Sequence, residues 1–266
     1  GYKVMGPVEE FAHKLYNAGF NLEEPPIMDG QTHRAPVVGG KPGARDGVYQ
    51  ADLTERPRGF CRNYLTNVRQ DWVYSGQELT DEQLAKLKTE TAERAAYENA
   101  RKAELYESAA MQAYARWEMA APAAADHECL AAKGVYLPDK GFKQDDKGNL
   151  LVPGVELEDH GELLAFKVKT LQTITPYGRK YYEKGCEKSG AMFVFETKDY
   201  EVTQKLSKEI LITEDFINAA TLYMATGTPV VACFDSYNMQ VVAESVRKHF
   251  PEAKITICTD NDLDME

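Results

Sequence analysis

The chain has 266 residues, of which 43% are apolar and 27% charged, a composition that suits one large or two modest globular domains. No run of about 18 uninterrupted apolar residues occurs, which argues against a membrane-spanning helix. The start Gly1-Tyr2-Lys3-Val4-Met5 lacks the apolar core of a secretion signal, so a cytoplasmic placement with no membrane partner is expected. Five cysteines (Cys61, Cys129, Cys186, Cys233 and Cys258) stand singly, which supports neither a zinc finger nor a disulfide framework. The formal net charge of -11 disfavours broad phosphate binding, but a local basic stripe can serve on an acidic protein.

Residues 1–78 read as a small mixed α/β unit. Val8 to Ala18 has helical spacing, with Phe11, Leu15 and Ala18 on one side. Strand-like pieces come next around Arg34–Val38, Gly47–Leu53 and Phe60–Leu65, separated by Gly and Pro turns. Residues 79–121 predict one long connecting helix. Thr80-Asp81-Glu82-Gln83 is a capping-box signature, and neither Gly nor Pro interrupts the chain from there until Pro122. At 1.5 Å per residue, about 40 residues give roughly 60 Å. Alanine dominates the middle, and the large residues Leu105, Met111, Tyr114 and Trp117 gather near the end. The first part reads as an exposed spacer and the last turns as docked on the next domain.

Residues 122–200 read as a β-rich subdomain. A short helix over His127–Lys133 is closed by Gly134. Strands are expected at Leu150–Pro153, Glu162–Thr170, Lys180–Tyr182 and Ala191–Glu196, in an antiparallel meander with turns at Asp146–Asn149, Asp159–Gly161 and Pro176–Gly178. Residues 201–266 alternate: strand Glu209–Thr213, helix Ile217–Thr226, strand Pro229–Phe234, helix Met239–Phe250, strand Lys254–Thr259. That order with short connections predicts a parallel sheet. The fold class is α/β, or α+β taken over the whole chain.

Reactive residues of open α/β sheets sit at the carboxyl ends of the strands. Here those ends are acidic: Glu214-Asp215, then Asp235, then Asp260-Asn261-Asp262. Asp260 and Asp262 project to one side of an extended segment, and Glu214 joins them if the strands are neighbours, about 4.8 Å apart. Carboxylates so crowded call for a hard divalent cation, and Mg²⁺ held by carboxylates and substrate phosphates is the usual arrangement for phosphoryl transfer. Acidic residues also end strands simply because strand ends meet water. Two basic stretches could face phosphates or merely be solvated: one holds Arg34, Lys41, Arg45, Arg56, Arg58, Arg62 and Arg69, the other Lys167, Lys169, Arg179, Lys180, Lys184 and Lys188. No G-x-x-x-x-G-K-[ST], G-x-S-x-G or H-E-x-x-H occurs.

The ordered set Ile210–Leu222, Thr226-Gly-Thr-Pro-Val-Val-Ala-Cys-Phe-Asp235-Ser-Tyr-Asn238 and Ile255-Thr-Ile-Cys-Thr-Asp260-Asn-Asp262 resembles the TOPRIM domain of phage and conjugative-plasmid DNA primases. Upstream segments fit the same family: Asp29-Gly30 with His33–Val37, Gly43–Gly47, His127–Val135, Leu150–Pro153 and Lys180–Gly190. The resemblance implies RNA-primer synthesis by in-line attack of a ribonucleotide 3′-hydroxyl on a triphosphate. It assigns catalysis to Glu214, Asp260 and Asp262, and Mg²⁺ or Mn²⁺ binding to these three with Asp235. Arg34, Arg179, Lys180, Lys184 and Lys188 would contact nucleotide or template phosphates. The implied partners are single-stranded DNA, ribonucleoside triphosphates and, as a further candidate, a replicative helicase. Two departures stand out. Asp215 replaces the family's Gly after the Glu, and the stop at Glu266 leads to the expectation of a fragment with a partial TOPRIM fold. The same carboxylates would suit a metal-dependent nuclease, and a binding module that no longer catalyses is the third reading.

Overall fold

The structure is a computed structural model that describes residues 1–137, 140–160, 163–196 and 206–259. It resolves into two compact units, Gly1–Leu105 and Tyr106–Glu266.

In the first unit, helix α1 (Pro7–Asn17) packs on a four-stranded antiparallel sheet in the order β2 (His33–Ala35), β3 (Gly47–Asp52), β4 (Arg58–Asn63) and β5 (Val68–Val73). Phe11 and Leu15 of α1 bury against Tyr49, Ala51, Cys61 and Trp72. Three strands are additional to those read from the sequence: β1 (Tyr2–Val4) and β6 (Glu78–Thr80), which form a short antiparallel pair, and the six-residue β5. Pairs of three residues carry too little periodicity to register in sequence.

Helix α2 (Asp81–Glu118) is the long helix, and its start is the predicted capping box: Gln83 N donates to Thr80 Oγ1 at 3.2 Å and Thr80 N to Gln83 Oε1 at 2.9 Å. Its middle is not an exposed spacer. Arg94 lies 3.8 Å over the Tyr16 ring and donates to the carbonyls of Tyr16 and Phe20. Glu98, 2% exposed, accepts from Gly39 N and pairs with Arg101, which reaches the Gly40 carbonyl at 2.7 Å. These are contacts of charged groups, so an apolar stripe could not have announced them. The last turns dock as expected: Ala113 and Trp117 pack on Leu151 and Leu171.

The second unit holds two sheets. One is antiparallel, in the order β11 (Lys180–Tyr182), β10 (Leu163–Ile174), β9 (Leu150–His160), β8 (Lys143–Gln144) and β7 (Ala121–Pro122), with helix α3 (Glu128–Ala131) beside it in sequence. The long β9–β10 hairpin runs to His160 and resumes at Leu163; Gly161 and Glu162 lie outside the described residues. Gly154 in β9 is required by packing, since a Cβ there would meet Thr170 at 2.6 Å, Phe234 at 3.1 Å and Ala191 at 3.2 Å.

The other sheet has the order β12 (Phe193–Phe195), β14 (Val230–Ala232), β13 (Glu209–Thr213) and β15 (Lys254–Cys258). β13 pairs in parallel with both β14 and β15, which is the predicted parallel sheet. β12, read as part of the meander, instead joins this sheet antiparallel to β14. Its residues Phe193 and Phe195 are needed there, against Phe142 and Phe216. Helix α4 (Phe216–Thr226) comes after β13 and helix α5 (Ser236–His249) after β14. Alternation sorts the strand residues between them. Leu211, Val230 and Ala232 cluster with Phe216, Ala219 and Ala220 of α4, while Ile210, Ile212, Val231 and Cys233 cluster with Val242 and Val246 of α5. The sheet is thus covered on both faces, as parallel strands require. No helix among the described residues is long and apolar enough to cross a membrane.

Phe216 is 1% exposed and meets Phe142, Phe193 and Phe195 with ring centroids at 5.3 Å. Phe216→Ala is expected to cost about 3–5 kcal/mol in urea unfolding, whereas Tyr237→Ala, at a side chain 94% exposed, should stay within about 0.5 kcal/mol.

Candidate functional site

The strand order places β13 between β14 and β15, so Glu214 emerges from the middle strand with the ends of the other two on either side. Glu214 is exposed. The next residue, Asp215, caps α4: its carboxylate accepts from Ile217 N at 3.0 Å and Asn218 N at 3.4 Å. Asp235 does the same for α5, accepting from Asn238 N at 2.8 Å. Aspartate is among the strongest N-cap residues, and its charge complements the positive end of the helix dipole.

A basic strand and loop face these caps. Lys180 of β11 forms an ion pair with Asp215, and Lys188 pairs with Asp235. Lys188 also lies 4.4 Å over the Tyr182 ring. The Tyr182 hydroxyl accepts from Gln172 Nε2 at 3.1 Å and donates to the Phe234 carbonyl at 3.3 Å. Burial, reinforced by the charges of Asp235 and Asp215, pushes this hydroxyl up to about 12, so it stays protonated. Phe234 adopts φ +72°, a left-handed conformation costly for a buried aromatic residue, at the point where β14 turns into α5. Cys233 beneath it is held up at about 11 by burial and then by the charges of Glu214 and Asp235. A thiol so disfavoured as thiolate is packing, not a nucleophile.

One amide ties the loop down. Asn238, 5% exposed, accepts from Gly190 N at 2.7 Å and donates to the carbonyls of Ala191 at 2.8 Å and Cys233 at 2.9 Å. Neither it nor the double role of Asp215 was read from the sequence. An Asp just before an apolar helical run is an N-cap signal that could have revealed the second.

Only some of the predicted residues come together. Glu214, Asp235, Lys180 and Lys188 share one edge of the second unit, with Arg179 and Lys184 exposed at either side of β11. Both Asp235 oxygens are engaged, Oδ1 by Asn238 N and Oδ2 by Lys188. Arg34 lies in the first unit, on β2. Asp260 and Asp262 lie outside the described residues, and β15 ends at Cys258, two positions before the first of them. Among the described residues no group of three His, Cys, Asp or Glu side chains could hold a metal.

A perturbed carboxyl lies elsewhere. Glu196 comes just after β12, which runs antiparallel to β14, so it sits toward the opposite end of the sheet from the acidic strand ends. Burial pushes it up to about 7 against the opposing charge of Lys140, and its Oε2 is buried without a partner among the described residues.

No family model matches the chain, and no solved structure matches it. Two curated relatives do, both from Escherichia coli and both named DNA primase TraC. One is 31% identical over 265 residues, 97% of this chain and 18% of its own length. The other is 29% identical over 267 residues, 99% of this chain and 24% of its own length. The chain thus spans about a fifth to a quarter of the relatives it matches.

Two measurements check the geometry. Asn238→Ala leaves one buried donor and two acceptors unpaired and is expected to lower stability by about 2–4 kcal/mol in urea unfolding, with faster amide exchange at Gly190. Because the folded-state pKa of Glu196 is raised, its contribution is full below the unfolded value near 4.5 and is lost as pH rises through about 7. The urea midpoint of the wild type minus that of Glu196→Gln should therefore fall between pH 4.5 and 7. The resemblance to primases read from the sequence extends along nearly the whole chain, to a segment of proteins that carry the name DNA primase TraC.

Proposed function

We propose that this chain is the nucleotidyl-transfer part of a DNA primase that synthesises RNA primers on single-stranded DNA. The observation that supports this most is the carboxylate Glu214 at the end of the middle of three parallel strands, beside two helix-capping aspartates, Asp215 and Asp235, that are paired with Lys180 and Lys188. In this reading Asp260 and Asp262, which come in sequence after the strand hydrogen-bonded to the Glu214 strand, would complete the carboxylate set with Glu214. Mg²⁺ or Mn²⁺ held there would neutralise charge developing on the triphosphate. Asp235 is the weaker metal ligand, because its two oxygens already serve a helix cap and Lys188.

Each protein group then has a task. Glu214, exposed, is free to take a proton from the attacking 3′-hydroxyl or to orient it. Lys180 and Lys188 meet phosphate oxygens by leaving their aspartates, with Lys184 and Arg179 beside them. Single-stranded DNA and ribonucleoside triphosphates are the substrates in this reading, and a replicative helicase is a candidate partner. A metal-dependent nuclease would use the same carboxylates, and product chemistry separates the two.

Calorimetric titration with Mn²⁺ should show binding to the wild type and none to Asp260→Asn/Asp262→Asn. Glu214→Gln should lower oligoribonucleotide synthesis on a single-stranded template by about 10²-fold or more. Metal binding unaffected by the double substitution would remove the acidic set from the site. Cleavage of supplied DNA without ribonucleotide incorporation would favour the nuclease.

A further inference from the structure

The N-terminal sheet has a second face, which the transfer chemistry does not use. Tyr49, Cys61 and Trp72 point to α1 and are buried, so the alternating residues of β3, β4 and β5 face away. The register sets Arg34 opposite Val48, Val48 opposite Arg62, and Arg62 opposite Arg69: one row across all four strands with three arginines in it. Like charges directly opposite one another destabilise a sheet. Arg62 and Arg69 stand so paired.

Rings alternate with the guanidinium groups. Arg62 lies 4.8 Å over Tyr64, Arg34 lies 6.0 Å from the same ring, and Arg69 lies 4.5 Å over Phe60. Tyr64 is half exposed. Arg62 Nε is buried with no partner among the described residues, while its Nη2 donates to Asn67 at 3.2 Å. Arg34 donates to the Arg45 carbonyl at 3.4 Å, and Arg69 meets Asp71 at 3.3 Å in a pair exposed on both sides, which is worth little. From Arg34 to Val73 there are seven basic residues against four acidic ones, in a chain whose net charge is -11.

We propose that this face binds single-stranded nucleic acid, with the Arg34, Arg62 and Arg69 guanidinium planes and the Tyr64 ring as stacking surfaces for bases. The same arginines reach phosphate oxygens with their remaining donors. The rings decide the class of partner. Duplex backbone or an acidic protein surface needs the positive charge alone, whereas unstacked bases settle on aromatic faces and guanidinium planes. The inference needs neither a metal nor any residue of the transfer site.

The test is fluorescence anisotropy of a labelled oligothymidylate with the whole chain in excess chelator, which removes any contribution of a metal site. Arg62→Ala/Arg69→Ala should weaken binding at least tenfold and flatten the dependence of log affinity on log salt by about 1.4, two phosphate contacts at about 0.7 each. Tyr64→Ala should weaken it about fivefold or more, with Tyr64→Phe close to wild type. Lys86→Ala/Lys88→Ala on α2 removes equal charge elsewhere and should leave binding unchanged. Thermal melts by circular dichroism establish that each variant is folded. The proposal is overturned by folded Arg62/Arg69 and Tyr64 variants that bind like wild type. It is equally overturned if a duplex of the same length binds as tightly as the single strand, or if polyglutamate displaces the oligonucleotide as well as unlabelled oligothymidylate does. Absence of primer synthesis would leave it standing.

Discussion

Strand β13 is hydrogen-bonded along both edges and covered on both faces, and the placement of every charged group at the site depends on that. Ile210 and Ile212 belong to the layer under α5, and Leu211 to the layer under α4. A slip of one residue would exchange the two sets, so the register has a single solution. With the register fixed, Glu214 can leave the sheet at only one place, between the ends of its two parallel neighbours. The chain then turns at once into a helix, and Asp215 is both the end of the turn and the cap that starts α4.

The two capping aspartates also reconcile an acidic chain with a basic loop. Each carboxylate is stabilised by backbone amides at a helix N-terminus, and each holds one lysine in place. The lysines, about two-fifths exposed, remain accessible. A phosphate that drew them away would leave the aspartates still bonded to their helices, so exchange of partners exposes no unpaired buried charge. Tyr182 lies between the pairs, kept neutral by its burial and then by the same carboxylates, and ties β11 to the Phe234 carbonyl.

How much of this was legible depends on the kind of signal. The strand–helix alternation from Glu209 to Cys258 was readable because parallel strands are continuous apolar runs and Gly227 marks a helix end with its left-handed φ of +64°. The long helix was readable from Thr80 and Gln83. The assignment of β12 was not, because Phe193 and Phe195 are apolar in either sheet and only the aromatic cluster around Phe216 decides between them. The packing of the middle of α2 was hidden for a related reason: Arg94, Glu98 and Arg101 look like solvent-facing residues in sequence and are contacts in the fold. At the site, residue types were legible and their pairing was not. Acidic strand ends and a basic stretch could be read separately, but which lysine meets which aspartate depends on where β11 lies.

Gly154 carries a constraint of a different kind. The space a side chain would occupy there is already taken by Thr170 from the partner strand, Ala191 from the loop and the Phe234 ring from the strained turn. These four positions therefore form one steric unit drawn from distant parts of the chain. Among diverging relatives, they should vary jointly: a larger residue at 154 is tolerated only where 170, 191 or 234 has shrunk, and the turn that carries Asp235 would drift with it. The shape of the edge that carries Asp235 and Lys188 is in this way inherited through a glycine whose nearest side-chain neighbours are Thr170, Phe234 and Ala191.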